Sequence, residues 1–183
     1  KDFSVPMSGK HGAFFVSPSP HFANRYAMND LGWFEGKKTP APTGGNVMPV
    51  HVQVKNPFDF ENKQQVESVL PSFRKALREQ EGYDKPTIDE WVSNLRDGNW
   101  SAVELASRYD LLKNKGFDSF YVMENGAKNL GVYEPTQIKS AIGNRGTYDI
   151  TDPDINKAKG GPVTNDAMWM AVQNKQLRKK HGN

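Results

Sequence analysis

Few residues in this 183-residue chain are spaced for familiar chemistry, and most of the spacings argue against it. The four histidines, His11, His21, His51 and His181, stand at neither i, i+4 nor His-x-His intervals, so no zinc site is expected. With no cysteine, disulfides, thiolate metal centres and a cysteine nucleophile are excluded. Gly36-Lys37-Lys38-Thr39 lacks the upstream glycine of a phosphate-cradling loop and reads as a flexible connection. Asp152-Pro153-Asp154 has neither the length nor the later glutamate of a calcium loop and reads as a turn. Trp33, Trp91, Trp100 and Trp169 are scattered singly, which favours packing over a stacking platform for single strands. Phe14, Phe15 and Tyr26 can stack on a flat ring, but taken by themselves they read first as core aromatics.

Composition bounds the rest. The length fits one domain, or one domain and a tail, with enough chain to bury a core. The hydrophobic fraction is 36%, the mean hydropathy is −0.74, and 16 glycines and 12 prolines imply short elements joined by long connections. The net charge of +3 gathers at the end, at Lys175, Arg178, Lys179 and Lys180. Such a run is a solvated face, or a weak contact for nucleic acid. There is no apolar run near the 18 or so residues of a membrane span, and no stretch of signal-peptide type at the start, so a soluble protein is expected. Lys1 as the first residue is read as a processed chain or part of a larger polypeptide.

The elements that must position any site follow from local patterns. Gly12 to Ser17 reads as a buried strand entering a turn, followed by a helix with Ser19 as N-cap and Pro20 as first residue. Residues 35 to 46 read as a loop. Val50, Val52 and Val54 alternate with polar neighbours, the period of a half-buried strand over 47–54, which Asn56-Pro57 ends. Helices occupy the middle. Thr87 with Glu90 and Ser101 with Glu104 are spaced as capping boxes, Gly116 is a helix stop, and Pro71 is expected to split 62–81 into two pieces. Phe117 to Met123, a Glu124-Asn125-Gly126 turn and Leu130 to Tyr133 form a hairpin signal that Pro135 closes. A last helix is expected over about Asn165 to Lys180, carrying Met168, Trp169, Val172 and Leu177, and able to dock on the domain or on a partner. Strands early and late with helices between them predict an α+β fold.

Three stretches, in order, resemble one family. Gly12-Ala13-Phe14-Phe15-Val16-Ser17 with Phe22-Ala23-Asn24-Arg25-Tyr26-Ala27 is similar to the aromatic block of ADP-ribosyltransferase-like folds, and Val50 to Pro57 is similar to the strand that follows it. Gly116-Phe117-Asp118, then Val132 to Ala141, then Gly143-Asn144-Arg145-Gly146-Thr147-Tyr148-Asp149, resembles the end of the ADP-ribosyltransferase domains of phage polyvalent and head-associated proteins. The resemblance covers roughly residues 1–155, leaving 156–183 as a linker and basic helix. It implies a split β-sheet that holds NAD bent, as a substrate whose nicotinamide–ribose bond breaks. ADP-ribose then passes to a host protein.

The resemblance also implies roles. The histidine or arginine that bonds the adenosine side of NAD is expected upstream of Lys1. Phe14, Phe15 and Tyr26, with Ser17, would hold the nicotinamide. The family's glutamate stands just before the strand of Val132-Tyr133, where this chain has Asn129. An amide is no general base and stabilises a cation less than a carboxylate does. Glu134 is the carboxylate nearest to it along that strand, and Gln137 is a candidate to bond substrate. Phe14 and Asn129 are expected on opposite walls of one groove. The competing readings are a transferase fold that has lost its activity and serves as a structural or ejected virion component, and a toxin-like nuclease using Tyr26 and His51. The expected setting is the host cytoplasm or the virion.

Overall fold

The computed structural model describes residues 12–28 and 46–142, and the backbone alone of three short strands beyond them. β1 (Phe14–Val16) runs through Ser17-Pro18 into α1 (Pro20–Ala27). The Ser19 side chain accepts the Phe22 N–H at 3.1 Å, and Pro20 sits where a missing N–H costs nothing. β2 (Asn46–Val52) and β3 (Pro57–Phe58) precede α2 (Lys63–Glu79), α3 (Lys85–Arg96) and α4 (Trp100–Arg108). Then come β4 (Ser119–Glu124), β5 (Ala127–Val132), β6 (Ile138–Ser140), β7 (Thr147–Tyr148), β8 (Ala158–Lys159) and β9 (Met168–Val172). The fold is α+β.

One sheet has the order β1-β5-β4-β3 and a second has β6-β2-β9, while β7 and β8 pair alone. β3 lies parallel to β4, and the remaining pairs are antiparallel. Successive residues of a strand point to opposite faces, so the four-stranded sheet has two cores. On one face Phe15, Phe120 and Val122 pack with Val69, Phe73 and Leu77 of α2, Val92 of α3 and Val103 of α4. On the other, Val16, Leu130 and Val132 meet Val50 and Ile138 of the second sheet, with Phe14 against them. Gly131 is required by the first core, because a Cβ there would lie 2.6 Å from the Phe120 ring. The β4–β5 turn puts Asn125 at φ 46° and Gly126 at φ 78°, the left-handed pair that matches strand twist in a two-residue hairpin.

Four expectations are corrected. Pro71 lies inside a continuous α2, whose buried stripe of Val66, Val69, Leu70, Phe73, Ala76 and Leu77 outweighs one missing hydrogen bond. The helix start assigned to Thr87 belongs to Asp84, whose side chain accepts the Thr87 N–H at 3.1 Å, and that assigned to Ser101 belongs to Asn99. Residues 168–172, expected in a helix, form β9, paired residue for residue with Asn46–Val50. Met168, Trp169 and Val172 fit a helical face, but an edge of β2 is there to be paired, and a strand satisfies both backbones. Finally, β1 bonds directly to β5, with Phe14 opposite Val132, so the aromatic block and the family strand are neighbours within one sheet rather than facing walls.

Parts of the sequence reading fall on positions outside the described residues: His11, most of the loop 35–46, Gly143-Asn144-Arg145-Gly146, Asp152-Pro153-Asp154 and the basic residues from Lys175. Among the described residues no helix is long and apolar enough to cross a membrane.

Candidate active site

The polar residues that interrupt the main core gather at the hairpin end of β4. Glu124 is the last residue of that strand, on the same face as Val122, and Val122 pairs with Asn129 of β5. The register therefore brings Glu124 and Asn129 side by side. Asn129 Nδ2 donates to Glu124 Oε2 at 3.4 Å, and the Tyr26 hydroxyl, reaching over from α1, donates to Glu124 Oε1. Glu104 of α4, a helix that packs on β4, adds a second carboxyl to the same neighbourhood. These acids are 6% (Glu124) and 9% (Glu104) exposed, and Asn129 is 3% exposed.

Burying charge is costly, and the protonation of the cluster reflects it. Burial, then the charge of Glu124, pushes the Glu104 carboxyl up to about 7, with Arg108 offsetting part of the rise. Burial also raises Glu124, while the hydrogen bonds from Tyr26 and Asn129 pull it back. The Tyr26 hydroxyl is held well above its usual range by burial and by its bond to Glu124, against a small opposing effect of Arg25. Tyr26 is thus a fixed donor, and Glu104 changes charge near neutrality. Titratable groups shifted by burial and by a specific partner mark sites of chemistry more often than chance. One atom here is unsatisfied: Asn129 Oδ1 is buried with no hydrogen-bond partner among the described residues. Leaving such an acceptor bare costs about 1–3 kcal/mol.

The other candidates lie elsewhere. Phe15 faces the helices, edge-on to Phe120 with centroids 5.8 Å apart, whereas Phe14 faces the second sheet, so one ring cannot touch both faces. Ser17 is buried and its hydroxyl accepts the Ser19 N–H at 3.1 Å, which shapes the turn into α1. Gln137 is fully engaged. Its Oε1 accepts from Tyr133 N at 3.1 Å and Glu134 N at 2.9 Å, and its Nε2 donates to Gln53 O at 3.3 Å and Asp118 O at 3.2 Å. An amide offers two donors and two acceptor lone pairs, so none is left for a ligand. Glu134 is exposed beyond the far end of β5. His51 stands opposite Lys139 in the second sheet, its buried Nδ1 without a hydrogen-bond partner among the described residues, and Tyr26 is bound to Glu124 instead. Among the described residues no three His, Asp or Glu side chains are grouped as for a metal ion.

Of the residues singled out in the sequence, then, Tyr26 and Asn129 are brought together, and what joins them is the carboxylate of Glu124, which by local pattern belongs to the Glu124-Asn125-Gly126 turn. A usable signal was present. Once Asn125-Gly126 is taken as a two-residue turn, the register follows, and it sets Glu124 beside Asn129 on one face. Glu104 likewise fits the spacing of a capping box with Ser101, although Ala102, Val103, Leu105 and Ala106 around it are all buried.

A family model described as an ADP-ribosyltransferase in polyvalent proteins matches residues 1–148. No curated protein and no solved structure matches the chain.

Proposed function

Because this chain belongs to the family of ADP-ribosyltransferases in polyvalent proteins, we propose that it transfers a single ADP-ribose from NAD to a protein acceptor. The observation that carries this reading is the meeting of Tyr26, from the aromatic block, and Asn129, from the start of the family strand, on the buried carboxyl of Glu124. In the reaction the bond between C1′ of the ribose and the nicotinamide nitrogen breaks. Its electron pair leaves on neutral nicotinamide, and the ribose passes through a state with oxocarbenium character that a fixed negative group stabilises. Phe15 and Tyr26 are the aromatics on or near the face that carries the acids. The setting proposed is a phage-encoded protein acting on a host protein, in the host cytoplasm or delivered with the virion.

The test is incubation of the chain with NAD labelled in the adenosine half, together with host lysate. Labelled protein and released free nicotinamide are expected. If neither appears, the transferase reading fails.

One observation favours a second reading. Asn129 stands where the resemblance calls for a glutamate, and with Gln137 fully used by backbone groups this supports a fold that serves as a structural component of a virion. Calorimetric titration with NAD separates the two, since a structural component binds no NAD at millimolar concentration and a transferase does.

A further inference from the structure

We propose that Glu124 supplies from β4 the carboxylate that position 129 of β5 lacks, acting on the ribose while Asn129 and Tyr26 hold it in place. This rests on the transfer reading above. Three observations carry it. First, Glu124 is the only acid bonded to Asn129 among the described residues, and the register of β4 and β5 fixes the two on one face. Second, both oxygens of the carboxyl are already oriented, Oε1 by the Tyr26 hydroxyl and Oε2 by Asn129 Nδ2. A catalytic carboxylate needs that rigidity, because its value lies in being in place before charge develops. Third, Asn129 Oδ1 is buried beside the acid with no hydrogen-bond partner among the described residues. An orphan acceptor next to a carboxylate calls for a ligand that presents hydroxyl donors, and a ribose is such a ligand.

The division of work follows from what each group can do. Asn129 cannot take up a proton, but its amide can donate to Glu124 and accept from a sugar hydroxyl at once. Glu124, as an anion, stabilises positive charge on C1′. When a nucleophile R–OH or water attacks C1′, its oxygen forms the new bond and its proton passes to Glu124 and then to solvent. Nicotinamide departs with the electron pair of the broken C–N bond, so the products are the ADP-ribosyl adduct, nicotinamide and one proton. Groups that face or bear electrostatically on Glu124 and the cluster are Tyr26 and Arg25 from α1, Glu104 and Arg108 from α4, and Asn129 from β5. Glu104 carrying a proton would leave Glu124 the sole anion of the pair, which two adjacent buried acids favour.

The experiment uses the full chain, NAD labelled in the nicotinamide, and water as the acceptor, so that no protein substrate has to be known. Glu124→Gln is expected to lower kcat about 100-fold or more while KM for NAD changes less than about threefold. Glu124→Gln combined with Asn129→Glu, which moves the carboxylate to the neighbouring strand, is expected to recover about tenfold of that loss. Tyr26→Phe removes a bond that favours the anion, so the acidic limb of the pH–rate profile moves to higher pH by about half a unit or more. A purely structural tyrosine would lower the melting point and leave the limb in place. Activity of Glu124→Gln within about threefold of wild type overturns the proposal. Should that variant not fold, an unmoved limb in Tyr26→Phe overturns it alone. A wild-type chain that releases no nicotinamide instead sinks the transfer reading, and this inference with it; an active wild type with an indifferent Glu124 sinks this inference only.

Discussion

Replacing Gln137 by methionine tests whether this side chain is a clamp or a ligand contact. The substitution keeps length and approximate shape and deletes all four hydrogen bonds, which tie the end of β2, the start of β4 and the turn after β5 to one point. The four partners are not equal in cost. Glu134 and Gln53 are exposed residues, so Glu134 N and Gln53 O can turn to water and add little. Tyr133 is buried and Asp118 half-buried, so Tyr133 N and Asp118 O lose a partner without a replacement, at about 1–2 kcal/mol each. The sum is about 3 kcal/mol, which for a chain of this size lowers the melting temperature by roughly 6–12 °C. Urea melts of the two proteins read the free energy directly, and NAD titration at a temperature where both are folded reads binding. A loss below about 1 kcal/mol, or unchanged stability with NAD binding abolished, would refute the assignment of Gln137 as a clamp.

Two further outcomes follow from the same reasoning. Glu104 holds its proton in the fold up to about pH 7, while in the unfolded chain it releases it near 4.5. The folded state therefore binds the extra proton between those values, and stability falls as pH rises through that window, by about 1–3 kcal/mol, then levels. Melts at pH 5 and pH 8 should show this for wild type and a flatter profile for Glu104→Gln. Pro71→Ala restores a helical N–H at an exposed position of α2 and should raise stability by about 1–3 kcal/mol, seen as a melting point several degrees higher; a lower one would mean that the proline ring packs productively.

What could be read from the sequence was what neighbouring residues decide among themselves. Ser19-Pro20 starts a helix wherever it lies, and Asn125-Gly126 makes a tight hairpin because both positions need left-handed backbone. What could not be read depends on partners far along the chain. Met168 to Val172 fits a helical face and an alternating strand alike, and only the open edge of β2 decides between them. Asp84 outcompetes Thr87 as a cap because Pro86 can follow it within the first turn without losing a bond. The site divides in the same way. Tyr26 and Asn129 were visible through a family pattern, whereas Glu124 became visible only when the hairpin register was followed across to the neighbouring strand. Glu104 needed the docking of α4 on β4, which no local pattern carries.

The second sheet has a peculiarity of timing. Its central strand, β2, bonds on one side to residues 138–140 and on the other to residues 168–172, both made long after it. At ribosomal speeds of roughly 5–20 residues per second, β2 leaves the ribosome and waits on the order of ten seconds for either neighbour. Through that interval its alternating valines and two rows of backbone amides are bare, the configuration in which one nascent chain adheres to another. β6 thus has a duty at birth as well as in the finished fold, since it is the first arrival able to cover its waiting partner.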